Sequence, residues 1–520
     1  AASAPAVAPR RGLKNLSIGV PKEPEVGGEM RVSLTPANVS KLMKRGAVVK
    51  IEHGAGVHSG FPDVAYEAQG ATVVTPQEVW GCDLVTKVRP PTEGEVEALG
   101  SRAIIGLLGA RQNPELVDAL AAKNATALSL DMLLRTLSRG QAFDVLSSQA
   151  NVAGYRAVIE AAHYLQRPFV GQMTAAGKID PCKVLVCGAG VAGLAAIQLA
   201  KRKGAIVYGF DVRSAAKEQV ESMGAKFVEV ATGEDGSAAG GYAKEMSPEW
   251  FEEARKTLLE LCKGIDVIIT TAQIPGKRAP VLITSAMVEA MPHGGVTVDL
   301  AADSGGNVET TVAGEVVAHG HVTCVGHTNM PSRMASTAST LFGNNVTNLI
   351  LSMEDKDTNT FVVNHNDEAV RSMLVVDGGR KLDPYIPPPP PPPSPEAQAK
   401  AAAAAAAAEA AEAEEEEDPQ RKAMRRALML TAGSSTALAA AMMAPNPLMT
   451  STLALSCLVG NSCVEGVTHA LHSPLMSITN AVSGMTIVGG MLQMGGGVLP
   501  QTVPQVMAAA AGTLSAVNPS

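Results

Sequence analysis

Three glycines and an aspartate carry the clearest chemistry in this chain. The stretch KVLVCGAGVAGLAAIQLAKRKGAIVYGFDVR places Gly188, Gly190 and Gly193 after a run fit for a strand, and Asp211 at the end of the next such run. Strand, glycine turn, amphipathic helix, second strand and an acid some twenty residues on (~20) are the parts of a dinucleotide-binding βαβ unit. Gly188 allows the tight turn, Gly190 lets the backbone approach a pyrophosphate, and Gly193 lets helix and strand pack closely. The helix N-terminus, at Val191 and Ala192, faces the phosphates. Asp211, with Val212 beside it, would accept from a ribose 2′-hydroxyl and repel a 2′-phosphate, which favours NAD(H) over NADP(H). Arg213 is the one neighbour that argues the other way.

These residues need a framework. At 520 residues the chain exceeds one core, so two or three domains are expected. Residues 16–384 alternate short β-branched runs (LSIGV, AVVKIE, KVLVCG, AIVYGFD, DVIITTA, GVTVDLA) with helical patterns, the rhythm of α/β units on parallel sheets. Seven prolines at 387–393, eight alanines at 401–408 and the acidic run EEEEDP then form a spacer that belongs to no core. Among the last 94 residues Glu465 is the only Asp, Glu, Lys or Arg, and a globular surface cannot be made from that. Apolar spans are expected at 427–444, 448–470, 474–498 and, shorter, 503–517. Arg421, Lys422, Arg425 and Arg426 precede the first, which keeps the α/β part on the matrix or cytoplasmic side. Ser473 and Pro474 start a new helix, so His469 and His472 fall at a span end and in a turn, while Glu465 and Asn480 lie deeper.

The expected fold is therefore two Rossmann-like parallel-sheet subdomains, then a disordered linker and a transmembrane helical hairpin region. The boundaries read as a processed or disordered start (1–15), an N-terminal α/β subdomain (16–150, completed by about 350–384), a Rossmann NAD(H)-binding subdomain (151–349), a linker (385–422) and three or four membrane helices (423–520). A net charge of −8 without a basic, aromatic-interleaved stripe excludes nucleic-acid binding. Seven cysteines without a CxxC or a histidine-paired set suggest buried thiols and no metal site. The opening AASAPAVAPRRG, with no acidic residue before Glu23, resembles the trimmed end of an organelle-targeted precursor, with a disordered tail as the alternative.

IGVPKEPEVGGEMRVSLTPANVSKLMKRGAVVKIEHGAGVHSGFPDVAYEAQGA resembles the N-terminal half shared by alanine dehydrogenase and the proton-translocating NAD(P) transhydrogenases. Arg31 and Lys87 match the keto-acid anchors of alanine dehydrogenase, but no histidine occurs between His58 and His163, where that enzyme carries its acid-base group. Both cations are accordingly expected in structural ion pairs. LLRTLSRGQAFDVLSSQANVAGYRAV is similar to the transhydrogenase segment that covers the nicotinamide, which implies nucleotide contacts for Arg135, Gln141, Asp144 and Ser147. Spaced three apart, Gln141, Asp144 and Ser147 would share one face of a helical turn. GEDGSAAGGYAKEMSPEW matches the family's mobile loop, with Tyr242 as the implied lid residue. TTAQIPGKRAPVLI and VDLAADSGGN also match the family, which implies that Ala272, Gln273 and Asp303 lie near the cofactor, and THALHSPLMSITNAVSG is similar to the family's first membrane segments.

The resemblance implies an α-type transhydrogenase subunit that binds NAD(H), works with an NADP(H)-binding β-type chain in a homodimer of the αβ unit, and sits in the mitochondrial inner membrane, a plastid or bacterial inner membrane being the alternatives. A membrane-anchored alanine dehydrogenase-like enzyme and a non-catalytic scaffold subunit are the competing readings.

Overall fold

A computed structural model describes residues 13, 14, 16–230, 236, 246–273, 278–355 and 360–386. Runs such as VLVC, VIIT and VTVD form strands buried on both faces, as parallel strands covered by helices must be. The first sheet holds β1 (Ser17–Val20), β2 (Val48–Glu52), β3 (Thr72–Val74), β4 (Leu84–Thr86), β5 (Ala103–Gly106) and β6 (Thr126–Ser129), parallel and in the order β3-β2-β1-β4-β5-β6.

A 20-residue helix, Val145–Tyr164, carries the chain to the second sheet, past the hairpin of β7 (Gln172–Thr174) and β8 (Gly177–Ile179). That sheet holds β9 (Lys183–Cys187), β10 (Ile206–Phe210), β11 (Lys226–Phe227), β12 (Val267–Thr270), β13 (Val296–Asp299), β14 (Val316–His319) and β15 (Val322–Val325). Its order is β11-β10-β9-β12-β13-β15-β14, with only β14 antiparallel. Helix Ala335–Ser352 returns to the first subdomain. After the short pair β16 (Glu354–Asp355) and β17 (Thr360–Phe361), β18 (Leu374–Asp377) runs antiparallel to β6 and pairs with β19 (Arg380–Lys381).

The architecture is the expected pair of Rossmann-like subdomains. In each sheet the chain fills one side of its first strand and then crosses to the other, which creates a point where strand order reverses. One core joins Ile18, Val49 and Ile51 to Phe342, Val346 and Leu349, so the returning helix is integral to the N-terminal subdomain. The second subdomain has two, one on each face of its sheet: Val184, Val186 and Ile269 pack on Ala196, Ile197 and Ala161, while Leu185, Phe210 and Ile268 pack on Trp250 and Leu258. Five cysteines (82, 182, 187, 262 and 324) are buried and unbridged, and burial pushes the Cys182 and Cys262 thiols up to about 12.

The expected linker from residue 387 onward and the membrane segments, with Glu465, His469, His472 and Asn480, lie outside the described residues. Among the described residues no helix is long and apolar enough to cross a membrane.

Candidate functional site

The glycine turn lies at the C-terminal end of β9, where β10 and β12 flank it on opposite sides. Gly188 has a φ of +101°, left-handed backbone that favours glycine, and its N–H donates to the Phe210 carbonyl at 2.7 Å. A Cβ at Gly193 would stand 1.7 Å from the Gly188 carbonyl oxygen, so any side chain would drive helix and strand apart. A Cβ at Gly190, by contrast, would meet no atom within 4 Å. The backbone there is open to an approaching group. Helix Val191–Arg202 starts on Gly190 with no side-chain cap and no acid in its first turn. The N–H groups of Val191, Ala192 and Gly193 are thus arranged as an anion site that fits a pyrophosphate.

Asp211, just beyond β10, is nearly buried. Its carboxylate accepts from the Ala189 N–H (2.7 Å), the Arg213 N–H (2.9 Å), and Nε and Nη2 of Arg213 (each 2.9 Å). Burial raises its pKa, but the hydrogen bonds from Arg213 and Ala189 outweigh that and hold it below the ordinary carboxylate value. An ionised acceptor therefore stands beside the glycine turn at neutral pH. The adjacent Val212 carbonyl accepts from the Gly236 N–H at 2.8 Å.

A second polar cluster opens the crossing helix. Arg135 Nε donates to Asp144 Oδ2 (3.0 Å) and its Nη2 to Ser147 Oγ (2.6 Å). Ser147 in turn donates its hydroxyl to Asp144 Oδ2 (2.6 Å) and its N–H to Oδ1 (2.9 Å). Three of the four residues expected on this segment thus meet in one network. The single helical turn expected to align Gln141, Asp144 and Ser147 does not form: Asp144 is the N-cap of the helix, with φ −73° and ψ 85°, and Gln141 sits in a preceding 3-10 turn, Ser138–Phe143. Gln141 is exposed, and the loop beneath it is held by the Arg139–Asp367 pair (2.9 Å) and by Asn345 Nδ2 donating to the Ala142 carbonyl (2.8 Å). Ser147 stands about 10 Å along the helix from Gly154. A Cβ at Gly154 would lie 1.9 Å from the Ala192 carbonyl oxygen, so the crossing helix touches the first turn of the nucleotide helix there.

Ala272 and Gln273 follow β12 on the far side of β9 from Asp211, and Gln273 Nε2 donates to Ser304 Oγ at 3.2 Å. Asp303 is exposed, with the Asn329 N–H at 3.4 Å from its Oδ2. Tyr242 lies outside the described residues.

The two cations that match keto-acid anchors are consumed by carboxylates. Lys87, fully buried, pairs with Glu23 and Glu95, each at 3.1 Å. Arg31 pairs with both oxygens of Glu29 (2.8 and 2.7 Å) and reaches Gln149 Oε1 (2.9 Å) and Asn329 Oδ1 (3.2 Å). Burial pushes the Glu29 carboxyl up, but Arg31 and Ser332 more than offset this and hold it at about 2. Gly154, Gln149 and Asn329 escaped the sequence reading. Glu29 and Arg31 carried a signal, since side chains two apart on extended backbone point the same way.

Two reversing parallel sheets, one glycine turn and an acid at the neighbouring strand end define a dinucleotide-binding protein of the doubly wound class. Residues 19–153 match the N-terminal domain and residues 157–384 the C-terminal domain of alanine dehydrogenase/PNT, and residues 449–519 match the 4TM region of pyridine nucleotide transhydrogenase. The chain is 44% identical over 482 residues to NAD(P) transhydrogenase subunit alpha of Haemophilus influenzae, covering 92% of each, and 42% identical over 491 residues to that of Cereibacter sphaeroides, covering 93% of each. The crystal structure of transhydrogenase from Sinorhizobium meliloti superposes with a TM-score of 0.64 at 38% identity, over 70% of this chain and all of that one. The chain belongs to the NAD(P) transhydrogenase alpha-subunit family, and the match over 449–519 makes it membrane-associated.

Proposed function

We propose that this chain is the NAD(H)-binding subunit of a proton-translocating transhydrogenase, in which hydride passes directly between NAD(H) on this chain and NADP(H) on a β-type partner. The observation that carries the reading is the uncapped helix start on open Gly190, with the ionised Asp211 hydrogen-bonded to the same turn. Val191, Ala192 and Gly193 would hold the pyrophosphate and Asp211 the adenosine ribose, with Arg213 giving up hydrogen bonds to admit it. On the other half, Ala272 and Gln273 would line the nicotinamide side. Arg135, Asp144 and Ser147, with Gln141 and Tyr242, would orient the carboxamide, for which they offer both donors and acceptors.

The nicotinamide supplies the hydride chemistry, and exchange between two such rings releases no proton. An acid-base histidine is then unnecessary. What this chain must provide is alignment to about 3–3.5 Å and exclusion of water. The two couples are nearly isoenergetic, so the drive comes from the membrane: one proton crossing about 100 mV contributes roughly 2.3 kcal/mol. That biases the product ratio roughly forty-fold.

The finer assembly is proposed as a homodimer of the αβ unit in an energy-transducing membrane. The basic residues 421, 422, 425 and 426 before the apolar tail support a nucleotide domain on the matrix side in mitochondria, or on the cytoplasmic side in a bacterial inner membrane. The keto-acid reading loses support because Arg31 and Lys87 are already neutralised.

Cofactor choice tests the site. NADH and NADPH are titrated by fluorescence into the parent and Asp211→Ala. The parent should favour NADH by more than about tenfold, and the variant should lose most of that preference, since a charge-assisted hydrogen bond contributes about 1.5–3 kcal/mol. Equal affinities in the parent would remove the ribose assignment.

A further inference from the structure

A buried polar lattice joins the end of β12 to the loop after β13. Asp299, the last residue of β13, is fully buried. Its carboxylate accepts from the N–H groups of Ala301 (2.9 Å), Asn307 (2.8 Å) and Val308 (3.0 Å), and from the hydroxyls of Thr270 and Thr311 (3.0 Å each). Four of these five bonds fold the 300–311 loop back over the strand end, and the fifth, from Thr270, ties it to β12. Gly306 makes the fold-back possible, with φ +79° and no Cβ, which would stand 3.0 Å from Asp299 Oδ2.

The fold-back delivers Asn307, itself fully buried, against the segment leaving β12. Asn307 Oδ1 accepts from the Ala272 N–H (3.0 Å), while Nδ2 donates to the carbonyls of Ala272 (2.9 Å) and Pro280 (2.8 Å). One side chain therefore satisfies both backbone groups of Ala272. On its other side, Thr271 Oγ1 donates to the Gly188 carbonyl at 3.1 Å and latches the same segment onto the glycine turn.

The place of this clamp in the sheet decides what it acts on. The chain fills β9, β10 and β11 in one direction and then crosses to β12, so strand order reverses between β9 and β12. Asp211, after β10, marks the adenosine half of the crevice. Ala272, after β12, lies on the opposite half. We propose that Asn307, held by Asp299, is a positioning residue for the nicotinamide half of the site, fixing the Ala272 backbone and through it Gln273. The inference rests on the NAD(H) reading above. Asn307 acts through Ala272, and its loss leaves the half-buried N–H and carbonyl of Ala272 without their partner.

The full chain in detergent tests this with two ligands, NADH followed by its fluorescence and AMP followed by calorimetry, on the parent, Asn307→Ala and Thr271→Val. Asn307→Ala should weaken NADH by about tenfold or more while leaving AMP within about twofold, because the backbone groups left unpaired lie on one half of the site only. Thr271→Val should shift the NADH-to-AMP affinity ratio in the same direction by a smaller factor. A general loss of stability would weaken both ligands alike, so equal losses, or a lowered melting temperature with unchanged NADH affinity, would overturn the inference alone. If Asn307→Ala does not fold, Thr271→Val decides, and an unchanged ratio overturns the proposal. A parent chain that binds neither ligand overturns the NAD(H) reading and this inference with it.

Discussion

Glu29 is a buried carboxylate at the centre of a polar cluster with Arg31, Arg89, Asn329 and Ser332. Besides Arg31 it accepts from Arg89 Nε (2.8 Å) and Ser332 Oγ (2.6 Å), so its ionised form is strongly favoured in the fold. Its folded value of about 2 lies below the ordinary 4.5. The stability it contributes is thus complete above the ordinary value and is lost as pH falls toward the folded one, and the difference corresponds to about 3 kcal/mol at neutral pH. Urea unfolding of the parent and Glu29→Gln should show a gap of about that size at pH 7, shrinking to roughly half at pH 3. A gap independent of pH would mean that Glu29 is not the group that titrates. At this scale the glycine turn and Asp211 were legible because their spacing is fixed by local backbone geometry. The grip of Arg213 on Asp211 was not, because spacing says nothing of which partner a charge chooses.

Helix Val145–Tyr164 runs from the Arg135–Asp144–Ser147 cluster to helix Val191–Arg202, with Ser147 in its first turn and Gly154 against Ala192. Gly154→Ala would force a methyl into the Ala192 carbonyl. It should destabilise the fold by about 1–3 kcal/mol, as overpacking does. Because the strain falls on the first turn of the nucleotide helix, NADH affinity should drop with it. Thermal unfolding and NADH titration of the variant check both, and a stable variant with unchanged affinity would show that the helices can slide apart freely. The strands were legible because runs buried on both faces read as unbroken apolar sequence. The break at Asp144 was not. A three-residue spacing fits a continuous helix equally well, and the break arises because the Asp144 carboxylate bonds the Ser147 N–H and caps the helix instead of continuing it.

The molecule divides in composition. A compact unit ends at Pro387, and nearly all charge precedes Ala427. Residues 1–387 should therefore stay in the supernatant after ultracentrifugation, bind NADH as the full chain does, and elute at twice the monomer mass in light scattering, whereas the full chain sediments with membranes. A monomeric mass would remove the proposed homodimer without touching the NAD(H) site. The membrane part was legible from charge depletion alone, since no folding argument makes a water-facing surface from one charge in 94 residues. Direct hydride exchange with a nicotinamide on another chain is followed by stopped-flow kinetics. Residues 1–387 are mixed with a transhydrogenase NADP(H)-binding domain, and reduction of an NAD analogue by NADPH is followed with and without alanine or pyruvate. Exchange should be rapid and indifferent to both, and slowed in Gln141→Asn while NADH affinity is largely kept, because the shorter side chain disturbs ring alignment more than the grip on one nucleotide. Intact NADH binding with no exchange in the reconstituted pair would contradict direct transfer.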